Sequence, residues 1–223
     1  MSEWNWGEWI TPVLLSVRIS LVASILAALL GISAAWLMSR RSWRGKTAIE
    51  TIMLLPLVLP PTVVGFILLM ALGRNSWVGQ AFERLFDFTI IFTWGAGVIA
   101  AVVVAFPLVY QTMKTGFASI DPRLGDAARS AGASEWEVFR YIALPLARRS
   151  VAAAYLLGFA RGLGEFGATL MIAGNIPGRT QTVPTAIYVA VDSGHLGLAW
   201  TWTIAMAVIS FILLLLTSRS VNE

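Results

Sequence analysis

An all-α membrane protein, a polytopic bundle of about five transmembrane helices, is the fold class that three features of this sequence predict. Hydrophobic residues make up 57% of its 223 residues and charged ones 13%, with mean hydropathy +0.76, a balance too apolar for a soluble domain of that length. Uncharged runs long enough for the ~20 helical residues that cross a hydrocarbon core occur at 19–38, 51–72, 89–113 and 196–218, and a fifth apolar stretch, 151–173, carries two charges. The third feature is where the cations collect. Arg40, Arg41, Arg44, Lys46, Lys114, Arg123, Arg129, Arg140, Arg148, Arg149 and Arg219 fall on one side of such a bundle, and only Arg74, Arg84 and Arg179 on the other. Loops on the cytoplasmic side retain Lys and Arg, so the N-terminus is expected outside and the C-terminus inside. Topology thus accounts for the net charge of +4, and no nucleic-acid partner is expected.

The whole chain, 1–223, reads as one transmembrane domain with spans at about 13–38, 51–72, 89–113, 151–173 and 196–218 and a cytoplasmic loop at 114–149. Trp4, Trp6 and Trp9, interleaved with Glu3 and Glu8, lack the basic region of a cleaved signal peptide and read as an aromatic anchor at the outer interface. Arg18, one turn inside the first span, is expected to snorkel to the headgroups or to find a partner.

Pro56, Pro60 and Pro61 interrupt the second span, each removing a backbone donor, so this helix must kink. Carbonyls freed in this way are tolerated where other protein or a water-filled cavity satisfies them, so 54–65, with Thr62, is read either as lining a pathway or as a packing kink. An external loop follows at 73–88, containing an amphipathic G-Q-A-F-E-R-L-F, and Pro107 is expected to kink the third span.

In the fourth span, R-G-L-G-E-F-G-A-T at 161–169 sets Arg161 and Glu165 one helical turn apart, where pairing lowers the cost of either charge. The small residues around them, Gly167 among them, admit another backbone or a solute; Thr169 adds a hydroxyl. A pathway lining and a structural ion pair at a subunit contact both fit. The segment 174–188 is too rich in Pro and Gly for a further span and is expected to be an external loop. His195 has no second ligand at helical spacing, so no metal site is predicted.

The most informative segment is polar. At 126–145 the chain reads D-A-A-R-S-A-G-A-S-E-W-E-V-F-R-Y-I-A-L-P. Asp126, Ala127 and Ala128 favour a short helix, Gly132 closes it with a left-handed turn, and an amphipathic stretch at 136–142 runs on until Pro145 stops it. This is a helix–turn–helix elbow; an amphipathic helix lying on anionic headgroups is the alternative.

The spacing of Asp126, Ala127, Ala128, Gly132, Ile142, Leu144 and Pro145 resembles the E-A-A-x3-G-x9-I-x-L-P loop of ABC importer permeases, with Asp for Glu at 126 as the single departure. In that family the loop is the coupling helix that docks on a separate ATPase subunit. Across nearly the whole chain, 54–65, G-E-F-G-A-T at 164–169 and G-N-I-P-G-R-T-Q-T at 174–182 resemble the molybdate permeases; tungstate is not separable from molybdate on these residues, and sulfate and thiosulfate permeases are the nearest rivals.

The resemblance implies a homodimer in the cell membrane, with ATP used by a partner ABC ATPase, an extracytoplasmic oxyanion-binding protein outside, and no cofactor bound by this chain. Arg-Gly-Lys-Thr at 44–47 lacks the upstream glycine of a phosphate loop, and no catalytic motif appears, so the chain itself is not expected to be an enzyme. An ion-driven transporter using Arg161 and Glu165 as a relay is the alternative of another class.

Overall fold

The computed structural model describes residues 6–40 and 43–222; Trp4 and Arg41 lie outside them, as do the side chains of Trp6 and Arg219. Helix α1 (Trp6–Arg40), α5 (Trp94–Ala118) and α12 (Leu196–Asn222) each contain a stretch long and apolar enough to cross a bilayer alone. Two bent pairs raise the number of possible crossings to five: α2 (Lys46–Val58) with α3 (Pro61–Leu72), bent by 114°, and Glu135–Leu146 with α9 (Arg148–Leu163), bent by 77°.

The break between α2 and α3 falls at Pro60-Pro61 and spares Pro56, which lies inside α2. A residue preceding proline is pushed out of the helical region, and Leu59 (φ −69°, ψ 141°) and Pro60 (φ −53°, ψ 136°) are both extended. Pro61 then opens α3 in the first turn, where its missing N–H costs nothing. Pro107 does not divide α5, which continues through it.

The core is the packing of α1 against α5 and α9. Ala23, Ala27, Ala35, Ala101, Ala105 and Ala154 have no exposed surface, and a Cβ at Gly31 would lie 2.6 Å from Val109 Cγ1. Helices meeting without a hydrophobic driving force between them gain most from close backbone approach, which small residues permit. Ser16 and Ser20 are also buried here; Ser20 returns its hydroxyl to Ser16 O at 2.7 Å, and Ser16 Oγ accepts Val183 N at 2.8 Å. That last bond ties α1 to the start of α11 (Val183–Asp192), which packs on α12. Trp9 Nε1 donates to Thr201 at 3.0 Å and Trp202 Nε1 to Trp9 O at 3.0 Å, so Trp9 also binds α12 at this end of the bundle. Arg18 finds its partner in Trp94, 4.3 Å from the ring centroid.

Three segments differ from the sequence reading. The stretch 151–173 is two helices, α9 and α10 (Gly167–Ala173), separated at 164–166. Helix α11 begins inside the expected 174–188 loop, because Pro184 occupies a first-turn position compatible with a helix. Pro145 does not end the elbow's second helix: a π-helical turn, Phe139–Ala143, leads into α8 (Leu144–Leu146), where Pro145 again sits in the first turn. The amphipathic segment after α3 forms α4 (Trp77–Phe86), capped by Ser76 Oγ accepting Gly79 N at 2.9 Å.

The α3–α10 contact is close enough to require a glycine: a Cβ at Gly65 would lie 2.7 Å from Met171 Cβ and 2.8 Å from Ala168 Cα. Gly65→Val is therefore expected to cost about 1–3 kcal/mol through overpacking, read as a lower melting temperature in detergent. Gly197→Ala, at a position with nothing within 4 Å, should melt like the wild type.

Candidate functional site

Two sites emerge, one at the break in the fourth apolar stretch and one in the polar elbow. At the break, Arg161 Nη1 lies 2.8 Å from Glu165 Oε2, one turn away as the spacing predicts. The other carboxylate oxygen, Oε1, accepts Ala168 N at 2.8 Å, so Glu165 also caps the start of α10. Its side chain is 2% exposed, that of Arg161 30%. A buried carboxylate with both oxygens engaged is a fixed structural group, while the Arg161 side chain stays partly exposed.

Gly167 brings α3 and α10 together here: a Cβ on it would meet Pro61 Cβ at 3.1 Å and Thr62 N at 3.2 Å. Pro60, Pro61 and Thr62 are exposed, whereas Pro56 is half-buried. Thr169 is sealed within the protomer at 1% exposure, and its methyl group is 3.6 Å from where a Gly97 Cβ would lie. Of the residues read as pathway candidates, Pro60, Pro61, Thr62 and Arg161 present surface; Glu165, Gly167 and Thr169 lie behind them.

The elbow starts with α6 (Pro122–Ser130), whose N-cap Asp121 accepts Arg123 N at 2.9 Å. Asp126, Ala127 and Ala128 lie in this helix. Gly132, at φ +95°, ends it: Gly132 N bonds Arg129 O and Ala133 N bonds Ala128 O, both at 3.0 Å, the paired closure that a left-handed residue permits. Ser134 then caps α7 (Glu135–Val138) reciprocally, accepting Glu137 N at 3.3 Å while its own N–H donates to Glu137 Oε2 at 2.7 Å. This Ser-x-x-Glu pattern was readable in the sequence and marks the second helix's start more sharply than amphipathicity does.

Arg129 spans the turn. Its Nη1 is 2.8 Å from Asp126 Oδ1, and its Nε and Nη2 reach the two oxygens of Glu135 at 2.9 and 3.3 Å. Arg40, at the end of α1, adds a contact to Glu135 Oε2 at 2.6 Å. The hydrogen bonds from Arg129, and the charge of Arg40, hold the Glu135 carboxyl below its ordinary value, while Ser134 does the same for Glu137 through its hydroxyl and N–H.

The recognised motif residues divide by role. Asp126, Ala127, Gly132 and Pro145 are exposed, whereas Ala128, Ile142 and Leu144 are partly buried; the elbow is held to the bundle by Phe139, Ala143 and Ala147, which pack into the core cluster. Leu124, Trp136, Tyr141 and Leu146 are 47–67% exposed on this otherwise polar segment. Apolar groups displayed among charges are characteristic of a surface that meets a partner. Sequence reading also missed Glu50, which accepts Tyr110 Oη at 2.9 Å and Lys114 Nζ at 2.9 Å and so joins α2 to α5; a lone acid preceding an apolar run was the only signal.

A multi-pass helical membrane bundle, broken midway and carrying an exposed helix–turn–helix elbow, is the architecture of the membrane subunit of an ABC importer. It is similar to a chain of the bacterial alginate ABC transporter in complex with alginate pentasaccharide-bound periplasmic protein (TM-score 0.76, 17% identity, covering 95% of this chain and 77% of that one), a likeness of fold. The chain belongs to the family described as binding-protein-dependent transport system inner membrane component, which matches residues 27–221. Among its relatives, the putative molybdenum transport system permease protein YvgM of Bacillus subtilis (strain 168) is 58% identical over 93% of this chain and 92% of that protein. The molybdenum transport system permease protein ModB of Escherichia coli (strain K12) is 40% identical over 92% and 91%. A probable sulfate transport system permease protein, cysT of Chlorella vulgaris, is 30% identical over 96% and 80%.

The lowered Glu135 pKa fixes the sign of an acid effect. The ion network's contribution to the elbow is complete above the carboxyl's ordinary 4.5 and is lost as the pH falls through the depressed folded value. Amide protection across 126–143, corrected for intrinsic exchange rates, should therefore drop between about pH 5 and pH 3, while that of α5 stays. Arg129→Ala should show the weakened elbow already at neutral pH.

Proposed function

We propose that this chain is the membrane-spanning permease subunit of an ATP-driven importer for molybdate, or its close analogue tungstate. It acts as a homodimer, with an ABC ATPase on the cytoplasmic face and an oxyanion-binding protein outside. The observation that carries this reading is the elbow: motif spacing, paired helix closure and exposed apolar groups coincide on 126–146, and so does family membership. Hydrolysis takes place on the partner; this chain binds no cofactor and catalyses no reaction. Molybdate is preferred over sulfate because identity is higher to the molybdenum permeases than to the sulfate permease.

Transport follows alternating access. Closure of the ATPases draws the two elbows together, and the spans attached to them turn so that a central path opens outward; hydrolysis returns it inward. The path must bind a dianion weakly enough to release it. Thr62, exposed in the first turn of α3, offers a hydroxyl beside a helix N-terminus, and Arg161 offers a guanidinium whose charge Glu165 already balances. Affinity and discrimination then reside in the external binding protein. As an alternative proton or ion relay, Glu165 is poorly placed, since it is buried and both its oxygens are held.

In vesicles containing the permease, its ATPase and the cognate binding protein, uptake of labelled molybdate should require ATP and the binding protein and should withstand excess sulfate. Equal competition by sulfate would move the chain to the sulfate group, and uptake driven by an ion gradient without ATP would make it a secondary transporter. The chain contains no cysteine, so orientation is read from single cysteines: Ser76→Cys and Asn175→Cys should react with an impermeant thiol reagent from outside and Ser134→Cys should not. Gly132→Val places a branched side chain at φ +95° with no clash nearby, costing about 1–2 kcal/mol of backbone strain. It should insert normally yet lose coupled uptake, whereas Asp126→Glu should transport like the wild type.

A further inference from the structure

The elbow is covalently continuous with α5 through 119–121 and with α9 through Ala147. Helix α1 has no such link, being separated from the elbow in sequence by α2 to α5, yet it packs against α5 and α9 along the core. If the elbow shifts and α1 does not, the bundle must shear along that interface, and close-packed interfaces of small residues resist gradual deformation. What makes α1 follow is noncovalent: the core packing along its length and the contacts of its cytoplasmic end with the elbow itself.

Two lines of contact meet there. One is ionic: Asp126 to Arg129, Arg129 to Glu135, and Glu135 to Arg40 at 2.6 Å. The other is aromatic: Trp136, 61% exposed on the elbow, has its ring centroid 5.5 Å from Phe139. Phe139 in turn lies 5.3 Å from Trp36 of α1, and Trp36 lies 5.5 Å from Phe117 of α5. Arg40 joins the two, its guanidinium 5.3 Å from the Trp36 ring centroid while it pairs with Glu135. Both lines begin on the exposed face of the elbow and end on the last turn of α1.

We propose that Arg40 is a positioning residue for transport: through Glu135, and braced on Trp36, it makes α1 move with the elbow, so that ATPase closure turns the core of the bundle as one body. The proposal rests on the coupling role given to the elbow above. A partly exposed ion pair contributes little to stability by itself; its worth here lies in the register it sets, beside the Trp36–Phe139 ring contact, between the end of α1 and the elbow.

The test uses the permease–ATPase complex in vesicles with binding protein, measuring molybdate taken up per ATP hydrolysed. Arg40→Ala should lower that ratio about fivefold, the lower end of typical site-to-site coupling, while the complex assembles and hydrolyses ATP at the wild-type rate. Arg40→Lys, which keeps the charge, should recover most of it. Adding Glu135→Gln to Arg40→Ala should cause no further loss, since residues acting through one contact are not additive.

An unchanged ratio in Arg40→Ala overturns the proposal. So does a parallel fall in uptake and hydrolysis, which would make Arg40 a prop for assembly only. A second readout does not depend on transport: Arg40→Ala should speed amide exchange in both 33–40 and 135–143, and unchanged protection in either segment overturns the tie, even if wild-type vesicles take up no molybdate and the transport reading itself falls. Should Arg40→Ala fail to assemble, Arg40→Gln carries the same comparisons.

Discussion

The carboxylate of Glu165 holds the middle of this protein together. Within a hydrocarbon layer a helix can stop only if its orphaned groups are satisfied by other protein, and Glu165 does this at the 164–166 break with one oxygen while neutralising Arg161 with the other. The break allows α10 to leave the line of α9 and lie against α3, where Gly65 and Gly167 let the backbones close to contact. Removing the carboxylate would leave Arg161 unpaired and α10 uncapped together. Because Arg161 is 30% exposed, the loss falls below the ~3–5 kcal/mol typical of breaking a fully buried pair, yet it would be felt against a domain's marginal stability.

The elbow follows a different logic. Its charges are largely exposed, so the network of Asp126, Arg129, Glu135 and Arg40 adds little to stability and mainly fixes geometry. Gly132 sets the turn, Ser134 and Glu137 set the start of the second helix, and Phe139, Ala143 and Ala147 pack into the bundle. The π-helical turn at Phe139–Ala143 widens the backbone just before Pro145, so the chain passes this proline and bends at Ala147. The result is a rigid projection with Trp136, Tyr141 and Leu146 turned outward.

What the sequence disclosed was decided by range. The elbow was legible because its signals, a D-A-A helix, a glycine and an Ile-x-Leu-Pro, are local and fixed in spacing. The Arg161–Glu165 pair was legible for the same reason, one helical turn apart. The break beside it was not, because composition over twenty residues averages across an interruption of three, and because the capping role of Glu165 depends on where Ala168 N points. Thr169 read as pathway-lining from its hydroxyl alone, yet helical phase turns it toward α5 and away from any surface. Pro145 read as a stop and the Pro and Gly of 174–188 as a loop, since a proline's meaning depends on whether it opens a helix or interrupts one. Arg18 on Trp94, Ser16 on Val183 and Arg40 on Glu135 join residues far apart in sequence, and no periodicity announces them.

The proposed function sets two opposed demands on the bundle, conducting an anion and spanning oil. An unpaired arginine in the path would bind a dianion strongly and also carry a large desolvation cost in its absence. Pairing Arg161 with Glu165 removes the net charge, and a guanidinium, which has five N–H donors, keeps others besides the one on Glu165. Thr62, in the first turn of α3, adds a hydroxyl and the helix's positive end without adding charge. In the proposed transport cycle, dipoles of this strength would hold an oxyanion in passing and let it go, so the path would not need to recognise its cargo. On the proposed reading, selectivity resides outside the membrane and energy on the cytoplasmic face, and the bundle's own task reduces to moving as one body with the elbow.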